Sequence, residues 1–178
     1  MLGFILRALD DKRPRTFPLL TDISVGPRCW TDSSFEPAEP YPKMRMCAIV
    51  AFGGFRQGVV CDFPPHAFDL LTVRSTQISI GELVAVILLF KHFPQVLAGK
   101  STIVFVDNIG VIHNIVNGAA RARDATSFSA ALQHQIAAIA TTSWWEYVES
   151  ESNLSDGGSR DGCSCPPRKG SWYQTFPG

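Results

Sequence analysis

Ser101-Thr102-Ile103-Val104-Phe105-Val106-Asp107 is apolar through its second half and closes on a carboxylate. A short, continuous apolar run of this kind reads as a strand buried on both faces, as in a parallel arrangement. Upstream the period changes. Ser79-Ile80-Gly81-Glu82 opens a helical segment predicted to reach about residue 97, with Pro94 marking a kink or early stop. Its apolar positions cover most of its circumference, which suits a helix wedged between a sheet and another helix. Downstream, residues 109–116 form a short predicted helix stopped by Asn117-Gly118. Residues 124–142 are helical again, and 143–148 supply a last strand.

The stretch before this unit is strand-rich. Residues 28–32 read as a first short strand, and 33–43, with Pro37, Pro40 and Pro42, as a loop or wide turn. Residues 44–52 and 55–63 flank Gly53-Gly54 as a hairpin that Pro64-Pro65 ends. The order is three strands, helix, strand, helix, helix, strand. It predicts an α/β fold: a five-stranded mixed sheet, three antiparallel strands followed by parallel ones, with helices packed on its faces.

A chain of 178 residues with 46% apolar and 18% charged content suits one globular domain with short appendages. Residues 1–24, with Asp10-Asp11-Lys12-Arg13-Pro14-Arg15, read as a linker or the tail of a preceding domain. Residues 25–160 read as the domain, and 161–178 as an irregular tail. Lys plus Arg and Asp plus Glu are equal at 16 each, so no global cationic field draws in nucleic acid. Cys29, Cys47 and Cys61 sit in strand-like runs as small buried hydrophobes. The odd cysteine count and the lack of a secretory signal favour a reducing compartment, so an intracellular location, cytoplasmic or nuclear, is expected. The longest apolar run, residues 83–90, is too short to span a bilayer.

Four carboxylates sit at the edges of apolar segments: Asp32, Glu82, Asp107 and Asp156. Buried carboxylates are costly unless solvated, paired or bound to a cation. Four brought together repel one another and imply a hard cation such as Mg²⁺. Each also has a plain structural role open to it. Ser79-x-x-Glu82 matches a capping box, Asp107 and Asp156 suit helix N-caps, and Asp32 suits a turn. His66, His92, His113 and His134 share no ligand spacing, and Cys163-x-Cys165 lacks a partner pair, so zinc is not expected.

The order of these acids on these elements resembles the ribonuclease H family. Thr31-Asp32-Ser33-Ser34 is similar to its first-strand Asp-Ala-Ser or Asp-Gly-Ser element. Ile80-Gly81-Glu82-Leu83-Val84-Ala85-Val86 resembles the helix whose Glu is the second ligand, and Val104-Phe105-Val106-Asp107-Asn108 the strand-end Thr-Asp-Asn. Val148-Glu149-Ser150-Glu151-Ser152-Asn153-Leu154-Ser155-Asp156-Gly157-Gly158-Ser159-Arg160 resembles the Val-Pro-Ser-x-x-Asn-x-Ala-Asp-x-x-Ser-Arg ending of retroelement members. Glu149 stands in place of the Pro, Ser155 in place of the Ala, and the loop lacks the His of cellular members.

The resemblance implies a ribonuclease H domain of a reverse-transcriptase-associated polyprotein, covering about residues 25–160. Such a domain cleaves the RNA strand of RNA–DNA hybrids. Asp32, Glu82, Asp107 and Asp156 would be both catalytic residues and metal ligands for two Mg²⁺ ions, with Mn²⁺ able to substitute. Ser33, Asn108 and Arg160 are the candidate substrate contacts. The expected partners are the hybrid and an adjacent reverse transcriptase domain, and no membrane. Two alternatives remain open: a catalytically weak or inactive tethering module, and another nuclease on the same fold. Integrases place Glu last, unlike this chain.

Overall fold

The computed structural model of the chain describes residues 26–160 and the short strand Tyr173–Thr175. The segment 1–24, read as a linker, lies outside the described residues. Strands β1 (Arg28–Glu36), β2 (Lys43–Phe52) and β3 (Phe55–Asp62) form an antiparallel meander. Gly53 and Gly54 turn the β2–β3 hairpin at φ 55° and 80°, values that glycine adopts without a Cβ clash. β1 is longer than expected. Its pairing with β2 continues from Asp32 opposite Cys47 to Glu36 opposite Lys43. Pro37, Pro40 and Pro42 all fall after Glu36, so they confine the loop to 37–42 rather than 33–43.

β4 (Ser101–Val106) lies parallel to β1 on its other side, and β5 (Thr142–Tyr147) lies parallel to β4. This gives the expected five-stranded mixed sheet, with a sixth strand at its far edge. β6 (Tyr173–Thr175) pairs parallel to β3, completing the order β5-β4-β1-β2-β3-β6. The tail, expected to be irregular, thus contributes three residues of strand. An edge strand presents unpaired backbone groups, and pairing with them needs no hydrophobic period in the added segment.

The helices are α1 (Ile78–His92), α2 (Pro94–Leu97), α3 (Ile109–Asn117), α4 (Arg123–Ala138) and α5 (Asp156–Arg160). Pro94 ends α1, whose cap residue Phe93 donates its N–H to the Leu89 carbonyl, and Pro94 begins α2. Gly118, left-handed at φ 65°, stops α3. α4 ends at Ala138, short of the predicted 142, because Ala140 turns left-handed at φ 51°.

The packing of α1 explains its near-uniform apolarity. Leu83, Val86, Leu89 and Phe90 pack on Cys29, Ala48, Val50, Val104 and Val106 of the sheet and on Val111, Ile115 and Leu132 of α3 and α4. Each fully buried aliphatic of this size stabilises by roughly 1.5–3 kcal/mol. The opposite face of the sheet holds Trp30, Cys47, Ile49 and Val60, with Trp30 stacked on Phe105 at 5.3 Å. Cys61 is half-buried, not fully as expected. Trp145 packs inward against Phe90 and Trp144 faces out, as the alternation of β5 predicts. Among the described residues no helix is long and apolar enough to cross a membrane.

Candidate active site

The register of β1 and β4 sets the site. Their parallel pairing ends at Thr31 opposite Val106, so the next residues, Asp32 and Asp107, emerge side by side where β4 stops. Beyond that point β1 has no neighbour on this edge. Glu82, on the second turn of α1, fills the opening. One carboxylate oxygen from each of Asp32, Glu82 and Asp107 lies within 4.8 Å of the others.

Neighbouring residues of β1 fix the helices on either side. Ser33 packs against Gly81 of α1, and its hydroxyl donates to the Ile78 carbonyl at 3.3 Å. Ser34 donates to the Ser159 carbonyl of α5. Successive residues of a strand point to opposite faces, so α1 and α5 grip β1 from opposite sides. A Cβ at position 81 would stand only 2.5 Å from Ser33 Oγ, so the helix approaches this closely only because residue 81 is glycine.

The last segment is latched to β1. Asn153, buried, donates from Nδ2 to the Thr31 carbonyl at 2.9 Å, while its Oδ1 accepts from Ser155 N at 3.2 Å and Ser155 Oγ at 2.6 Å. The buried Ser159 hydroxyl meets Asp32 Oδ2, and Ser150 Oγ donates to Asp107 Oδ2 at 2.8 Å.

Asp156 begins α5. Its Oδ1 lies 2.7 Å from Arg160 Nε, within ion-pair distance but not aligned as a hydrogen bond. It stands outside the three-carboxylate group, yet near enough that its charge acts on Asp32.

Among the described residues no cationic side chain offsets the charges of Asp32 and Glu82. Burial, then the Asp107 charge, a hydrogen bond that protonated Glu82 can offer Asp107, and the Asp32 charge push Glu82 up to about 10. Asp32 rises to about 6, mainly through burial, with the Ser159 hydrogen bond opposing and the Asp107 and Asp156 charges adding. Glu82 Oε2 and Asp107 Oδ1 are buried and accept no hydrogen bond among the described residues. Buried polar atoms are nearly always partnered. Two orphaned carboxylate oxygens facing a third acid fit a divalent cation with oxygen ligands.

The simple structural roles do not account for the three clustered acids, whereas Asp156 does stand in the first turn of α5. No side chain caps α1 at Gln77, so Ser79 and Glu82 form no capping box. Asn108, not Asp107, caps α3, its Oδ1 accepting from Val111 N at 3.2 Å. Asp32 sits inside a strand rather than in a turn. Of the three candidate substrate contacts, Ser33 is buried and bonded to α1, Asn108 is occupied as a cap, and Arg160 is exposed beside Asp156. The positions missed from sequence are Gly81, Ser150, Asn153 and Ser159. All four lie inside the motifs quoted for the resemblance, where the acids draw attention and their neighbours do not.

No protein-family model matches the chain, and no curated protein matches it. Solved structures do. LC9-RNase H1, a type 1 RNase H with the type 2 active-site motif, superposes with a TM-score of 0.53 at 12% identity, over 71% of this chain and 64% of that one. The N-terminal RNase H domain of a Mycobacterium tuberculosis protein gives 0.50 at 11% identity, over 78% and 95%. The prototype foamy virus protease-reverse transcriptase gives 0.53 at 14% identity, over 83% of this chain and 21% of that one. The chain thus spans less than two thirds of LC9-RNase H1 and about a fifth of the viral protein. At these identities the likeness is one of fold: the chain has the ribonuclease H fold.

Proposed function

We propose that the chain is a metal-dependent phosphodiester hydrolase of the ribonuclease H type, cleaving the RNA strand of RNA–DNA hybrids in the reverse transcription of a retroelement. The observation that carries this reading is the convergence of buried Asp32 and Glu82 with half-buried Asp107, Glu82 and Asp107 each keeping one oxygen without a hydrogen bond among the described residues, at the edge where β4 ends in a ribonuclease H fold. A fold alone hosts many functions, so the site must argue the chemistry.

Asp32, Glu82 and Asp107 are the proposed core of the cation site, and Asp156 the proposed fourth ligand. Divalent ions held there, Mg²⁺ by their oxygen-only donor set, supply activation of water and charge neutralisation at the departing 3′-oxygen. The chain's own residues do the rest. Glu82 keeps its carboxylate out of bulk water, and the close contact of Gly81 with Ser33 holds α1, and Glu82 with it, against Asp32 of β1. Arg160, exposed at the rim, is the proposed phosphate contact among the three candidates. Net neutrality favours help in substrate capture from a neighbouring domain, for which reverse transcriptase is the proposed candidate.

The test is cleavage of a labelled RNA–DNA hybrid with Mg²⁺, beside duplex DNA, duplex RNA and single strands. Hybrid-specific cleavage of the RNA strand, abolished by EDTA and by Asp107→Asn, is the expected result. A folded wild-type chain that binds Mg²⁺ but cleaves none of these would overturn the catalytic reading and leave a tethering module on this fold.

A further inference from the structure

We propose that Ser150 is a positioning residue: its hydroxyl holds Asp107 in the orientation that turns Oδ1 toward Glu82 and Asp32. The inference rests on the proposed cation site and concerns how the chain prepares it. A carboxylate that ends a strand has freedom about its terminal torsion, which is broad and roughly two-fold. Asp107 loses that freedom, because Oδ2 accepts from Ser150 Oγ at 2.8 Å while Oδ1 stays buried and, among the described residues, accepts no hydrogen bond. Asp32 is treated in the same way from the other end of the segment, where the Ser159 hydroxyl meets Oδ2. One stretch of eleven residues, 150 to 160, therefore donates to both strand-borne acids and brings Asp156 near enough for its charge to act on Asp32.

The path from Ser150 to the sheet is rigid enough for this task. Asn153 ties the intervening loop to the Thr31 carbonyl, one residue before Asp32, and Val148 N donates to the Val106 carbonyl, one residue before Asp107. The loop is thus anchored at the backbone of both strands next to the acids it serves. A hydroxyl is suited to the role because it donates one hydrogen bond and brings no charge to offset the site's attraction for a cation. Groups that orient ligands typically change metal affinity by roughly 10–100-fold when removed.

Ser150 is exposed, so Ser150→Ala removes the donor without opening a cavity. The experiment is calorimetric titration of the full chain with MgCl₂, paired with the Mg²⁺ dependence of hybrid cleavage. Ser150→Ala is expected to weaken Mg²⁺ binding about tenfold and to shift the Mg²⁺ optimum upward, with the maximal rate largely recovered at saturating ion. Ser150→Thr, which keeps the hydroxyl, is expected to restore wild-type affinity. Wild-type affinity in a folded Ser150→Ala chain overturns the proposal, as does failure of Ser150→Thr to rescue. If the wild type itself neither binds Mg²⁺ nor cleaves, the cation site on which the proposal rests falls instead.

Discussion

Gly81→Ala should damage the site far more than the fold. The added Cβ would meet Ser33 Oγ at 2.5 Å, Met44 Sδ at 2.8 Å and Ser33 Cβ at 2.9 Å. Carbon contacts are comfortable at about 3.5–4.0 Å, so α1 and β1 must separate by about 1 Å. The neighbours have little room to yield, since Ser33 and Met44 are both buried and the Ser33 hydroxyl is bonded to α1. Overpacking of this kind costs roughly 1–3 kcal/mol, and alanine returns about 1 kcal/mol of helix propensity. The net loss is about 0–2 kcal/mol, a fall in Tm of up to roughly 8 °C for a chain of this size. Glu82 is the next residue, and a carboxylate displaced by about 1 Å from its partners is expected to lower turnover about 100-fold. Gly99→Ala is the matched control. Gly99 is left-handed at φ 69°, and a Cβ added there would find nothing within 4 Å, so its substitution costs only backbone strain. That strain is about 1–2 kcal/mol. Gly99 lies just before the start of β4, at the opposite end from Asp107. Thermal unfolding and hybrid cleavage should show similar Tm losses for the two variants and a turnover loss only for Gly81→Ala. Equal turnover in both would refute the idea that close approach of α1 to β1 builds the site.

Two further outcomes follow from charge. In EDTA, Glu82→Gln should be more stable than wild type at pH 7, by up to about 3 kcal/mol, and show no advantage near pH 4. The sign follows from the folded carboxyl titrating near 10 against an ordinary 4.5: the folded state holds a proton that the unfolded state releases, so wild-type stability falls as pH rises above 4.5. Saturating Mg²⁺ should stabilise the wild type and not the variant; urea titrations at the two pH values check both points. Asp124→Asn should act oppositely. Burial alone would raise Asp124, but hydrogen bonds from Arg74, Thr72 N and Ala125 N and the Arg74 charge hold it at about 2. Its contribution is present above pH 3.8 and disappears as pH falls through 2. The variant should therefore lose roughly 1.5–3 kcal/mol at neutral pH, with the gap closing in acid, as urea titrations across that range would read.

The sheet is legible in the sequence because its signals are local. The Gly53-Gly54 turn, the change of period at Ser79 and the apolar run into Asp107 each dictate an element from a few residues, and their order dictates a mixed sheet. What the sequence conceals depends on partners. Ser33–Glu36 extend β1 only because Lys43–Met46 lie opposite them, and a loop reading is natural with three prolines close by. β6 depends on the open edge of β3, which no pattern in residues 173–175 announces. The Arg74–Asp124 pair, which ties the strand-to-helix connection to α4, joins residues 50 apart in sequence.

Asp32, Glu82 and Asp107 are legible for a different reason: each ends or interrupts an apolar stretch, where an ionised group is costly without a purpose, whereas Asp156 is marked only by the motif around it. Their supports carry no such mark. Ser150, Asn153 and Ser159 are small polar residues in a polar segment, and every one has an ordinary reading as a loop or cap residue. Their role appears only when β1 and β4 bring Thr31 and Val106 into register, because their hydrogen-bond partners are Thr31, Asp32 and Asp107. The same register explains why Asp156 stands apart from the inner three. It arrives on a segment that is held to the sheet by those hydrogen bonds rather than by burial of an apolar face, as Glu82 is on α1. Its distance from Asp32 is therefore set by Asn153 and Ser159, and its own carboxylate leans on Arg160. The proposed fourth ligand, mounted this way, can adjust to an arriving ion at the cost of a few hydrogen bonds, whereas the backbone that carries Asp32 and Glu82 cannot shift without moving β1 or α1.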